Sequence, residues 1–210
     1  MLAAALVAAL RADGVPTAAF KPVVTGLDEP EPGRPADHEL LAAAAGQPTA
    51  EVAPLRFGPP VSPHLAASLA GTAIEPAALV AAARALRAEV VIAEGAGGLL
   101  VPLTLGYTMR DLALDLGWPV VVAARPGLGT INHSLLTVEA ARAAGLDVRA
   151  VVLTPWPAEP SAMHSSNAEA IRRLGGVEVV ALREVGIDVP QLALAGATLP
   201  YERWLRGASP

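Results

Sequence analysis

The chain has 210 residues, enough for one domain with a substantial core of its own. Hydrophobic residues make up 53% and charged residues 17%, which excludes whole-chain disorder, and a net charge of -5 argues against nucleic acid as the main partner. Cysteine is absent, which excludes disulfides, thiolate catalysis, zinc–thiolate sites and iron–sulfur clusters together.

Residues 3–12 read as a helix closed by Asp13-Gly14. The apolar start lacks a basic n-region, and Arg11-Ala12-Asp13-Gly14 stands where a small-residue cleavage site would fall. A signal peptide is therefore not expected, and the protein is read as cytoplasmic. No run reaches the roughly 18 uninterrupted apolar residues that suggest a membrane span, so no membrane partner is expected. Residues 17–23 read as a strand with Lys21 and Thr25 at its end. Asp37–Ala45 reads as a helix with Asp37 as N-cap and Gly46 as its stop. A helix over residues 76–87, with proline in its first turn, leads into Val90–Ala93, apolar on both faces as buried parallel strands are. Residues 120–123 repeat that pattern after Pro119. A helix over residues 130–144 ends at Gly145, followed by a strand over 148–153, a helix over 161–174 and a strand over 177–182. Strands alternating with helices of about 10–15 residues predict an α/β fold: one domain over residues 1–210, its mostly parallel sheet covered by helices on both faces.

In such sheets ligands bind beyond the carboxyl ends of the strands. Four polar groups fall there: Lys21 with Thr25, Glu94, the segment 127–133, and Thr154. Lys21 is the single lysine among 15 basic residues. It is either a compact ammonium aimed at a phosphate or carboxylate, which arginine replaces poorly, or a lysine snorkelling from a strand end. In Glu94-Gly95-Ala96-Gly97-Gly98 a carboxylate leaves a wholly apolar strand, a placement suited to a magnesium ion, and the glycines permit close backbone approach to a phosphate chain or base. The alternative is a flexible turn with a solvated glutamate. Asp37 is a candidate second magnesium carboxylate or an ordinary N-cap. Gly127-Leu128-Gly129-Thr130-Ile131-Asn132-His133 opens a helix with free N–H groups, either an anion site or a tight turn capped by Thr130. The histidines lack zinc-ligand spacing, and there is no Gly-x-Ser-x-Gly nucleophile elbow.

Together these residues resemble the dethiobiotin synthetases. The resemblance rests on Lys21-Pro22-Val23-Val24-Thr25-Gly26, Ala36-Asp37-His38, Pro60-Val61-Ser62-Pro63-His64, Glu94-Gly95-Ala96-Gly97-Gly98 and the segment 127–133, in the family's order and spacing as far as Thr154. It implies a P-loop NTPase-like three-layer sandwich and a cyclo-ligase that forms dethiobiotin from 7,8-diaminopelargonate, CO2 and ATP, with magnesium, as a homodimer. Lys21 would neutralise the carbamate and the transferring phosphoryl group. Asp37 and Glu94 would hold magnesium, Thr25 the amine–carbamate end, and Gly129, Thr130 and Asn132 the substrate carboxylate. Asp37, Glu94, Gly95, Ala96, Gly97, Thr154 and Pro155 would line the ATP site. Thr154 departs from the asparagine that the family often uses to read adenine, and threonine has no amide to pair with a base edge.

A further departure is expected at the start, where the family begins with a strand and a phosphate-binding Gly-Lys-Thr loop. Residues 1–4 align with the helix just after that loop, so a strand and loop of about 15 residues are the expected missing piece. The expectation is a start codon placed too late. The alternative is a truncated, non-catalytic relative that binds a small carboxylic acid or a partner through the same crevice.

Overall fold

The structure, a computed structural model, describes residues 1–205, so positions 206–210 of the expected domain lie outside the described residues. In chain order it runs α1 (Leu2–Ala12), β1 (Thr17–Phe20), β2 (Val23–Val24), α2 (Asp37–Ala45), α3 (Thr49–Val52), β3 (Leu55–Arg56), α4 (Pro63–Leu69) and α5 (Pro76–Ala85). It continues through β4 (Val90–Ala93), β5 (Pro102–Thr104), β6 (Tyr107–Thr108), α6 (Met109–Leu116), β7 (Val120–Ala124) and α7 (Thr130–Ala143). The last elements are β8 (Val148–Trp156), α8 (Ala162–Gly175), β9 (Glu178–Arg183), α9 (Val189–Gly196) and α10 (Tyr201–Leu205).

The main pairings are parallel, as expected: β1 with β4, and β7 with β8 with β9. A short parallel pair, β2 with β3, and an antiparallel hairpin, β5 with β6, complete the strands. Strand side chains alternate between faces, and the core sorts accordingly. In β8, Ala150 and Val152 join a cluster built on α1, α2, α9 and α10, while Val151 and Leu153 join a second with α7 and α8. In β1, Ala19 faces the α1 cluster and Phe20 a third, made with Leu79, Leu103 and Leu112. Val90 and Ile92 of β4 and Val121 of β7 also pack on the α1 cluster, so one helical layer backs both parallel sheets. Helices on both faces of parallel strands give the three-layer α/β sandwich that the alternation predicts.

Helix α1 is central: every residue from 2 to 10 is buried. Such all-round burial is what an alanine-rich stretch without charge permits, since it has no polar face to solvate; the helix's one charged residue, Arg11, lies beyond it in the exposed last turn. Its crossing with α9 is close enough that a Cβ on Gly196 would lie 2.1 Å from the Ala5 carbonyl oxygen. No described helix is long and apolar enough to cross a membrane.

Three expectations are corrected. The strand over 17–23 breaks after Phe20: Pro22 offers no N–H, and the Lys21 N–H donates instead to the Val52 carbonyl at 2.8 Å. Strands β4 and β7, read as buried on both faces, are half-buried, because each is paired along one edge only and no strand lies between them among the described residues. Strand β8 does not end at Thr154 but runs through Pro155 to Trp156, which pairs with Arg183.

Candidate active site

The parallel register places Phe20 beside Ala93, so the residues that follow, Lys21 and Glu94, leave the sheet side by side. The Glu94 N–H donates to the Phe20 carbonyl at 2.8 Å, which holds that side chain at the carboxyl end of the strands. Asp37 arrives from α2. It is not the N-cap, as the sequence suggests. Ala36 takes that position, and the Ala36 N–H donates to the Glu39 carboxylate at 2.9 Å. Capping by Glu39 leaves the Asp37 carboxylate, at the first helical position, free for other work.

That work is an ion pair. The Lys21 Nζ donates to Asp37 Oδ2 at 2.7 Å and to Glu94 Oε1 at 2.5 Å. Lys21 is only 6% exposed, so the snorkelling alternative fails: the ammonium points inward to two carboxylates. Burial opposes its charge, but Glu94 and then Asp37 more than offset that and hold its pKa above the ordinary lysine value. For Asp37 burial likewise opposes the charge, and Lys21 reverses it, leaving the carboxyl below the usual aspartate range. His38, beside it, is buried with Nδ1 lacking a hydrogen-bond partner, and burial lowers its pKa, so the imidazole is neutral near pH 7.

Lys21 and Asp37 open onto a cleft of about 250 Å³ that also reaches Thr25, Ala96, Gly97 and Ser62. Four separated stretches of sequence thus converge on one pocket. Gly97 sits at φ +73°, and a Cβ there would meet Val101 Cγ2 at 2.9 Å, so the turn after Glu94 requires glycine on two counts. Ser62 carries no role in the sequence reading although its motif does. It lines the cleft and shares a hydrogen bond of 3.0 Å with His64 Nδ1.

The remaining sequence candidates lie elsewhere. Gly129 (φ +89°) is the N-cap of α7, and the Thr130 N–H that follows it donates to the Gly127 carbonyl at 3.2 Å. Thr130 is therefore not the cap: it is buried, with its hydroxyl 3.3 Å from that of Ser134, while Asn132 is exposed. Thr154 and Pro155 lie within β8. Neither group lines the cleft of Lys21. Sequence reasoning also missed Asn167 on α8, whose amide donates to the carbonyls of Pro126 at 3.0 Å and Gly127 at 3.3 Å and so tethers the turn before α7. Its signal is an amide on a helix face that packs inward, where a polar group needs a partner.

The donor chemistry at Asp37 and Glu94 fits a hard divalent cation: two carboxylate oxygens already converge on one positive charge. Among the described residues no group of three His, Asp or Glu surrounds a common point, which excludes an all-protein cage there but suits magnesium, typically held by one or two carboxylates with water and phosphate oxygens.

Comparison with known proteins gives this geometry a context. Residues 1–185 match a family model described as an AAA domain. A protein of Anaeromyxobacter dehalogenans strain 2CP-1 named ATP-dependent dethiobiotin synthetase is 45% identical over 91% of this chain and 86% of its own length. Proteins of that name from Rhodococcus jostii strain RHA1 and Mycobacterium avium strain 104 are 40% and 38% identical over 86% and 98% of this chain, and 78% and 87% of their own lengths.

Proposed function

Because this chain belongs to the ATP-dependent dethiobiotin synthetase family, we propose that it is the cyclo-ligase that closes dethiobiotin on 7,8-diaminopelargonate with CO2 and ATP, in the cytoplasm, as a single-domain homodimer. One substrate amine adds to CO2, forming an N–C bond and releasing a proton. A carbamate oxygen then takes the γ-phosphoryl group as ADP departs. The second amine attacks the carbonyl carbon, phosphate leaves, and the cyclic urea is closed.

Lys21 is the residue for the charged steps. It neutralises charge on the carbamate and on the phosphoryl group in transfer, where catalysis is mostly positioning and electrostatics. Asp37 and Glu94 would hold magnesium, which supplies neutralisation of the nucleotide's phosphates. Thr25, which lines the cleft together with Lys21, orients the amine–carbamate end with its hydroxyl. Gly129, Thr130 and Asn132 bind the substrate carboxylate at the positive end of α7, whose first N–H, that of Thr130, is already held by the Gly127 carbonyl. Gly95, Ala96 and Gly97 approach the nucleotide closely for want of bulk, and Thr154-Pro155 borders its base.

The observation that carries this reading is the convergence of Lys21, Asp37 and Glu94 at the strand ends beside the cleft. The test is direct. The full-length protein, given diaminopelargonate, 13C-bicarbonate, ATP and magnesium, is expected to release dethiobiotin labelled at the ureido carbon, with phosphate in equal amount. Unlabelled product, or none, would overturn it.

A further inference from the structure

The ion pair raises a question that its distances answer. Asp37 and Glu94 each place one oxygen within hydrogen-bond reach of the same nitrogen, at 2.7 and 2.5 Å. Two carboxylates so close in a half-enclosed site repel one another unless a cation lies between them, and here that cation is the Lys21 ammonium. A divalent ion bound by both oxygens would need the space that Nζ fills, because magnesium–oxygen distances are only about 2.1 Å. An ammonium left beside it would face double charge of its own sign. Of the participants the lysine is the mobile one: its charge sits on a flexible four-carbon stem and the cleft of about 250 Å³ adjoins it.

Resting on the functional reading above, we propose that Lys21 is the resting counter-ion of the metal-binding carboxylates, and that a divalent cation and the Lys21 ammonium occupy Asp37 and Glu94 alternately. The exchange orders events at the site. While Lys21 neutralises the carboxylates it cannot neutralise substrate, and once they take up a divalent ion it turns into the cleft where Thr25 and Ser62 lie. It also accounts for a lysine here in a chain that uses arginine at every other basic position: a planar guanidinium would spread its donors over the two oxygens and fill the space more broadly.

Being the single lysine, Lys21 yields one Cε signal when the protein is labelled with 13C-lysine, which makes the exchange visible without turnover. Nucleotide-free protein is titrated with MgCl2, with ionic strength held constant by KCl. The expected result is a saturable displacement of that signal, abolished in Asp37→Asn. In parallel, MnCl2 calorimetry is expected to show Lys21→Met binding the ion about tenfold more tightly than the unaltered chain, since apparent affinity falls by the fraction of time that the carboxylates are free. A lysine signal that stays in place through the titration overturns the exchange, as does equal or weaker manganese binding by Lys21→Met. The signal is read on the unaltered protein, so the test survives a variant that folds poorly. Absence of labelled dethiobiotin would count against the functional reading alone and leave these two measurements as they are.

Discussion

At the scale of single residues, the site depends on where charge is allowed to be buried. Lys21 is 6% exposed and stays ionised because two carboxylates reach it, whereas a lone buried ammonium would shed its proton. Glu94 contributes through position: it is the first residue past a strand whose register sets it beside Lys21. Glu94→Ala therefore leaves Asp37 as the remaining carboxylate on the ammonium and removes half of the oxygen pair offered to a metal. The expected outcome is a magnesium requirement for ATP binding raised about tenfold or more, in line with the loss of one charge-assisted ligand contact. Nucleotide titrations at stepped magnesium concentrations measure it, and an unchanged dependence would remove Glu94 from the metal site.

At the scale of elements, helix ends do most of the positioning. Helix α6 is closed by a reciprocal box in which Asp111 Oδ2 accepts from the Thr108 N–H and hydroxyl, both at 2.7 Å, and Thr108 Oγ1 accepts from the Asp111 N–H at 3.4 Å. The Thr108 hydroxyl and N–H hold the Asp111 carboxyl below its ordinary value. A carboxyl lowered in the folded state stabilises the protein above about pH 4, where the unfolded group titrates, and that stabilisation is lost as pH falls through the folded value. Thr108→Ala should cost about 1 kcal/mol at pH 7 and make the acid decline shallower, as read by urea unfolding between pH 7 and pH 2.5. An equally steep decline would contradict the assignment. The same logic separates what the sequence reveals about helix ends from what it does not. It places the start of α2 correctly, because Asp, Glu and a following apolar run mark it, yet it names Asp37 as cap when Glu39 caps Ala36 from inside the helix. Propensity identifies an end; which side chain folds back on it depends on what else competes for that side chain, and Lys21 competes for Asp37.

At the scale of the molecule, the order of the main strands and the motifs after β1 and β4 are evident in the sequence because a parallel strand reads as a continuous apolar run. The ends of β1 and β8 are not, since Pro22 breaks one run early and Pro155 does not stop the other. What it conceals are pieces too short for periodicity, such as β2 and β3 with two residues each, and tertiary docking such as that of α9 and α10. These last helices seal α1: Leu192, Tyr201 and Trp204 bury against it, and the Tyr201 hydroxyl donates to Asp13 just past its end. Gly196 sets the depth of that contact. Gly196→Ala pushes a methyl into the Ala5 carbonyl, main chain that cannot yield without moving α1, and the expected cost is about 1–3 kcal/mol with a lower Tm. Unchanged thermal unfolding would mean that the α1–α9 crossing is looser than described.

The claim on which the whole account turns is that one buried ammonium, poised between Asp37 and Glu94, carries the charged steps of ring closure. The measurement closest to it is the turnover of Lys21→Gln in the full-length protein, with circular dichroism and thermal unfolding recorded alongside. The account predicts a folded protein whose kcat for dethiobiotin is lower by about 100-fold or more, the usual cost of deleting a charge aimed at the transition state. A folded Lys21→Gln protein that retains near-full turnover would contradict it.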